Sequence, residues 1–178
     1  MDKIQTTALE LFEARGFTQV SVEEIASAAE VSPSSVYRYF GTKEGIILAD
    51  EFDSLSDQEL MNAIDLDDLV GSVRAIVSRF GHDSAGTSDQ SSLAHLRIKY
   101  FFEEPSVRRA SYENLAVAAR RIAPALAAAG HLSQAEASVA ASVLVFGYFA
   151  ALEEWYKDPE EQSVADIFSK SIEALHTY

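Results

Sequence analysis

The chain has 178 residues, 48% of them hydrophobic and 10% aromatic, which is enough apolar material to bury a sizeable core in one domain or two small ones. It contains no cysteine, which excludes disulfides, thiolate zinc sites and cysteine nucleophiles. The net charge of −14 argues against non-specific coating of nucleic acid, though not against a small, focused contact surface. The opening Met1-Asp2-Lys3 does not read as a signal peptide, because no basic segment followed by an apolar run is present. The most apolar stretch, residues 137–152, is interrupted by Ser138, Ser142 and Gly147 and flanked by acids. We therefore expect a buried helix of a cytoplasmic protein there, with no membrane partner.

Apolar residues recur every three or four positions almost throughout, and no alternating strand or hairpin signal is found, so the chain reads as all-α, with about nine helices. The first helix spans about 2–15, with Ile4, Ala8, Leu11 and Phe12 as its apolar stripe and Gly16 placed to end it in a left-handed conformation. Ser21-Val22-Glu23-Glu24 is a capping box that opens a second helix, whose apolar side is Val22, Ile25, Ala26 and Ala29. After a turn through Glu30-Val31-Ser32, Ser32 caps a short third helix with Pro33 at its first position, ending near Phe40-Gly41. Thr42 caps a fourth helix over about 43–56.

Beyond it the helices lengthen. A fifth is expected over about 67–80, ended by Gly81, and a polar loop over about 82–89. A sixth runs to about Glu103, before Pro105. A seventh covers about 105–129, with a bend or interruption near Pro124. The capping box Ser133-Gln134-Ala135-Glu136 opens an eighth that reaches about Tyr156. Asp158-Pro159-Glu160-Glu161 is read as the cap of the last helix, which ends near Leu175.

Two short helices joined by a three-residue turn match a helix-turn-helix, whose second helix enters the major groove of DNA. In that second helix Val36 and Phe40 lie four apart and face inward, while Ser34, Ser35, Tyr37, Arg38 and Tyr39 carry hydroxyls or charge suited to phosphates and base edges. Lys43, at the start of the next helix, adds an ammonium where free backbone N–H groups already attract a phosphate. Residues 1–50 hold four bases (Lys3, Arg15, Arg38, Lys43) against eight acids, so this head carries about −4 and its contacts must be few and well placed.

The run Ala8-Leu9-Glu10-Leu11-Phe12, then Gly16-Phe17, then Val20-Ser21-Val22-Glu23-Glu24-Ile25-Ala26, then Val31-Ser32, then Val36-Tyr37-Arg38-Tyr39-Phe40 with Lys43-Glu44 resembles the DNA-binding head of the TetR family of regulators over residues 4–48. The resemblance implies that Ser21, Tyr39 and Lys43 grip phosphates. It also implies that Ser32, Ser34, Ser35, Tyr37 and Arg38 lie at or near base edges. Only Met1, Asp2 and Lys3 precede Ile4, so no basic arm reaching into the minor groove is expected unless the start is truncated.

The same resemblance implies a three-helix head over 1–45 and a larger helical ligand-binding and dimerisation domain over 46–178. The implied partners are a palindromic DNA operator, a second copy of the chain joined through the last two helices, and a small apolar effector. The wide apolar arc of 139–152 and the stripe Val164, Ile167, Phe168, Ile172 and Leu175 suit such a dimer. Phe52, Ile76, Phe80, His95, Leu96, Tyr100, Tyr112 and Leu115 are the candidate effector-binding residues, with Arg97 and Asn114 as further polar groups that can orient a ligand. Arg97, the segment Glu104-Pro105-Ser106-Val107-Arg108-Arg109 and the run from Ala150 to Trp155 resemble an acyl-coenzyme A-responsive subgroup at scattered positions. No cofactor, metal site or catalytic residue is expected: the four histidines are dispersed, and no HExxH, GxSxG or glycine-rich phosphate loop occurs. The expected function is a regulator, a repressor released from DNA by its effector. The alternative is a helical protein-interaction module without DNA binding, which suits the acidity but leaves the serine- and tyrosine-rich third helix unexplained.

Overall fold

A computed structural model of the chain describes residues 2–49, 88–128, 132–158 and 162–175, together with residues 56, 59, 62, 65, 68, 71 and 72. Among the described residues there are eight α-helices, one short 3-10 helix and no strand. They are α1 (Asp2–Arg15), the 3-10 turn (Phe17–Gln19), α2 (Val22–Ala28), α3 (Pro33–Phe40), α4 (Lys43–Leu48), α5 (Ser88–Glu103), α6 (Pro105–Ala128), α7 (Gln134–Lys157) and α8 (Val164–Leu175). The fourth helix, expected to reach about 56, instead ends at Leu48 with Ala49 as its cap. Of the helix expected over 67–80 only residues 68, 71 and 72 are described, and the loop over 82–87 lies outside the described residues.

The chain divides into two compact units, residues 1–49 with 85–112, and residues 50–84 with 113–178. In the first, α1 packs against α2, α4 and α5, α2 against α3, and α3 against α4. The core is made by Phe12, Val20, Ile25, Val36, Ile46 and Ile47, all almost fully buried. Burying each of these side chains stabilises the fold by about 1.5–3 kcal/mol relative to exposure, so this small unit needs most of them. On α1 the buried positions are Ile4, Ala8, Leu9 and Phe12. Leu11, expected inside, is only half-buried at the margin of that arc.

Two glycines shape the connections. Gly16 ends α1 with φ 85° and ψ 146°. That is an extended conformation of mirror-image hand, not the left-handed helical one expected from sequence, and it is open almost only to glycine. Gly41 has φ 70° and ψ −53°, and Thr42 N donates to Phe40 O at 2.7 Å across it. This three-residue γ-turn reverses the chain sharply between α3 and α4. Glu30, in the turn between α2 and α3, also has a positive φ (60°), and its carboxylate accepts from Lys3 Nζ at 2.6 Å.

α6 runs without interruption through Pro124. In the second unit α8 packs along α7. A Cβ on Gly147 of α7 would lie 3.2 Å from the Phe168 ring, so the missing side chain sets how closely the two helices approach. α7 opens with the expected capping box: Ser133 Oγ accepts from Glu136 N, and the Glu136 carboxylate accepts from Ser133 N at 2.8 Å. Asp158 is the C-terminal cap of α7. The cap of α8 is Ser163, whose Oγ accepts from Asp166 N at 3.1 Å. Sequence reasoning placed that helix start five residues early, because the acid-proline pair outweighed the plainer Ser-x-x-Asp signal. α7 is long and apolar enough to cross a membrane by length and composition. Val139 and Val143 on it are 65% and 45% exposed, an apolar stripe that α8 leaves uncovered.

Candidate nucleic-acid interface

The site is assembled by the N-terminal caps of α2 and α3 and by the outward face of α3. Val36 and Phe40 are buried and anchor α3, while Pro33, Ser34, Tyr37, Arg38 and Tyr39 are exposed. Tyr37 and Tyr39 are 47% and 53% exposed, far more than packing tyrosines would be. The sequence-predicted recognition residues therefore share one open surface, as the spacing from Ser32 to Phe40 requires.

Hydrogen-bond accounting refines what each can do. Ser32 Oγ accepts from Ser35 N at 3.2 Å and lies 2.9 Å from both Ser34 Oγ and Ser35 Oγ. One hydroxyl thus caps the helix and joins its two neighbours in a single cluster. Tyr37 Oη donates to Glu23 Oε1 at 3.5 Å, a long contact that sets a carboxylate of α2 beside the face of α3. Ser21 Oγ accepts from Glu24 N at 3.2 Å and donates to Glu24 Oε2 at 3.0 Å. A phosphate oxygen only accepts hydrogen bonds, so Ser21 must release its hydrogen from Glu24 before it can grip one. Arg15 Nη1 donates to the same carboxylate at 2.8 Å. The Ser21 backbone N–H, then Arg15 and the Ser21 hydroxyl, together hold the Glu24 carboxyl down to about 2.

The four bases of the head are not equally available. Lys3 pairs with Glu30, and Arg15 pairs with Glu24. Lys43 Nζ donates to Phe17 O at 2.8 Å and Val20 O at 3.0 Å, and sits 4.3 Å from the centre of the Phe17 ring. Two of its three N–H groups are thereby spent on the fold, leaving one for a phosphate. Arg38 lies over the Tyr39 ring at 4.9 Å. Among the described residues it is the one base of the head that gives no hydrogen bond to a carboxylate or carbonyl. Its planar fork, held against an aromatic face, suits bidentate contact with phosphate or guanine.

The effector candidates are less concentrated. Phe52, Ile76 and Phe80 lie outside the described residues. Leu96 and Tyr100 are buried, His95 is exposed, Tyr112 is 43% exposed and Leu115 is half-buried. Tyr100 packs on Phe12 and Phe17, with ring centres 5.8 and 6.1 Å apart. Burial, with smaller contributions from Glu13, Glu103 and Glu104, pushes its hydroxyl upward. Its ring is therefore committed to the core of the first unit. Arg97, read from sequence as able to orient a ligand, instead donates to the carbonyls of Ile47 and Leu48. A groove at the end of α7 lined by Glu154, Asp158, Gln162, Ile167, Lys170 and Ser171 is too polar for an apolar effector.

Sequence reasoning missed Gln5 altogether and missed the capping role of Arg97. Gln5 and Arg97 supply hydrogen bonds to the end of α4 from 41 to 50 positions away. No local pattern announces such long-range caps.

Comparison with known proteins agrees with this geometry. Residues 4–49 match the profile of the family described as bacterial regulatory proteins, tetR family. The chain is 34% identical over 86 residues to the HTH-type transcriptional regulator TcmR of Streptomyces glaucescens, covering 44% of this chain and 37% of that one. It is 41% identical over 63 residues to the putative mycofactocin biosynthesis transcriptional regulator MftR of Mycobacterium tuberculosis, covering 35% and 32%. The matched segments thus span about a third of those relatives. Among solved structures, a TetR-family regulator from Streptomyces coelicolor superposes with a TM-score of 0.59 at 21% identity, covering 99% of this chain and 94% of that one. NalD, the secondary repressor of the MexAB-OprM multidrug efflux pump in Pseudomonas aeruginosa, superposes with a TM-score of 0.57 at 16% identity, covering 99% and 93%. These two likenesses show a shared fold.

Proposed function

We propose that this chain, whose residues 4–49 match the profile of bacterial regulatory proteins of the tetR family, is a cytoplasmic transcriptional repressor that binds a palindromic DNA operator as a homodimer and is released by a small apolar effector. The observation that carries the DNA-binding reading is the face of α3. A helix anchored by Val36 and Phe40 and capped by Ser32 turns two tyrosines, a serine cluster and the free cation Arg38 to solvent. Arg38 and the hydroxyls of Ser34, Ser35 and Tyr37 meet base edges, while Tyr39, Lys43 and Ser21 hold phosphates.

Homodimerisation rests on the uncovered Val139 and Val143 of α7, beside which α8 packs. A two-fold pair of heads matches a palindromic site with half-sites about one DNA turn apart. Effector binding shifts the population toward a state in which α4 has moved and the two heads no longer fit the operator. An acyl-coenzyme A is the first effector class to test, on the scattered resemblance in the C-terminal half.

Selection of duplexes from a random pool at low salt, followed by mobility-shift titration, tests the reading. Enrichment of an inverted repeat bound by two chains supports it. Failure of the wild-type chain to enrich any duplex refutes it and favours the protein-interaction alternative. Loss of dimer in Val139→Glu, read by sedimentation, tests the interface separately.

A further inference from the structure

α4 is only six residues long, and a helix of that length leaves as many carbonyls exposed at its end as it bonds internally. In this chain the carbonyls around its C-terminus are taken by two side chains from other helices. Gln5 Nε2 of α1 donates to Ile46 O at 2.7 Å and to Ala49 O at 2.9 Å. Arg97 of α5 fills the gap between them, with Nε donating to Ile47 O at 2.5 Å and Nη2 to Leu48 O at 3.1 Å. Four consecutive carbonyls are thus satisfied, and a guanidinium sits where the helix dipole is negative. The bonds require a planar fork with two parallel donors, which lysine cannot supply.

α5 also reaches the other end of α4. Tyr100, one turn beyond Arg97, packs on Phe17, and Phe17 carries the Lys43 ammonium on its ring. Lys43 in turn ties the first residue of α4 to the carbonyls of Phe17 and Val20. Both ends of α4 are therefore fixed by contacts that trace back to α5, and α4 packs directly on the recognition helix α3.

We propose that Arg97, outside the helix-turn-helix, is a positioning residue for DNA recognition: it fastens the end of α4 and so fixes the placement of Lys43 and α3 on the operator. The proposal rests on the DNA-binding reading above, and it makes α5 a working part of the head. Movement of α5 that withdraws Arg97 would leave the carbonyls of Ile47 and Leu48 without their donors and free the end of α4.

The test compares wild type, Arg97→Gln, Arg97→Lys and Arg97→Ala at a temperature well below all their melting transitions. Each is titrated with the duplex selected by wild type and with a random-sequence duplex of equal length. Amide exchange over residues 45–49 is followed without DNA. Removing a charged hydrogen-bonding group of this kind is worth about tenfold. Arg97→Gln and Arg97→Ala are therefore expected to bind the selected duplex about tenfold more weakly, with less than about twofold change on random DNA, and to exchange faster at Ala49 than at α1. Arg97→Lys, which keeps the charge but not the fork, falls between. Equal weakening on both duplexes, or unchanged affinity on both, overturns the positioning role. Unchanged exchange at α4 shows that Arg97 does not hold that helix, whatever the DNA result. If wild type selects no duplex, the DNA-binding reading itself fails, while the exchange experiment still decides whether Arg97 fastens α4.

Discussion

Replacing Lys43 by methionine keeps the apolar stem against Phe17 and deletes only the ammonium. That ammonium makes two hydrogen bonds, to Phe17 O and Val20 O, and lies over the Phe17 ring. Hydrogen bonds to a charged group contribute about 1.5–3 kcal/mol each when protected. Lys43 is half-exposed and water competes for both carbonyls, so roughly half of that survives. The ring contact adds about 0.5 kcal/mol at such a site. The expected loss is about 2 kcal/mol, which lowers the melting midpoint of a chain of this size by about 4–8 °C. Circular dichroism melts and urea titrations of wild type and Lys43→Met measure it. The remaining N–H predicts a second effect: the slope of log affinity against log salt falls by about 0.9 for each of the two chains on the operator, about 1.8 for the dimer, one phosphate per chain. A midpoint change below about 1 °C would refute the internal tie, even if DNA affinity fell. An unchanged salt slope would refute the phosphate contact, even if the midpoint fell.

Gly41→Ala is expected to cost about 1–3 kcal/mol, read in the same melts. Nothing lies within 4 Å of the added Cβ, so the whole cost is the strain of the γ-turn at φ 70°. Glu24 links stability to acidity. Its folded carboxyl titrates at about 2 instead of the ordinary 4.5, so its contribution is complete above about 4.5 and lost as pH falls toward 2. Glu24→Gln should therefore flatten the fall of unfolding free energy across that window, and an identical pH profile in the variant would contradict the capping network. In the second unit, Gly147→Leu should destabilise by about 1–3 kcal/mol, because the Phe168 ring lies 3.2 Å from the first added carbon. Denaturant midpoints test this.

How much of this was legible in the sequence depended on the range of the forces involved. Helix starts governed by adjacent residues were readable: Ser21 with Glu24, Ser32 with Pro33, and Ser133 with Glu136 all cap as their spacing requires. The outward face of α3 was readable for the same reason, since Val36 and Phe40 fix its orientation. The end of α4 was not. Residues 49–70 contain no glycine or proline, yet the helix closes at Ala49 under caps from Gln5 and Arg97. The charge of the head was read correctly as −4 but not its distribution, because the partners of Lys3 and Lys43 lie 23 to 27 residues away. Tyr100 looked like a pocket aromatic from its helical spacing. Only its contacts with Phe12 and Phe17 reveal a core residue.

The engagement of three of the four head cations bears on how such a molecule would find its site in a genome. Strong non-specific affinity comes from many loosely held positive charges, which let a protein slide along any duplex. Here Lys3 and Arg15 are paired with carboxylates, Lys43 spends two of its N–H groups on carbonyls, and Arg38 lies over the Tyr39 ring in a head of formal charge about −4. A head built this way spends little time parked on unrelated sequence. If the chain binds an operator as proposed, it would search by repeated collision through solution, and its occupancy of that operator would follow the concentration of free protein closely, with little of it held in reserve on the chromosome.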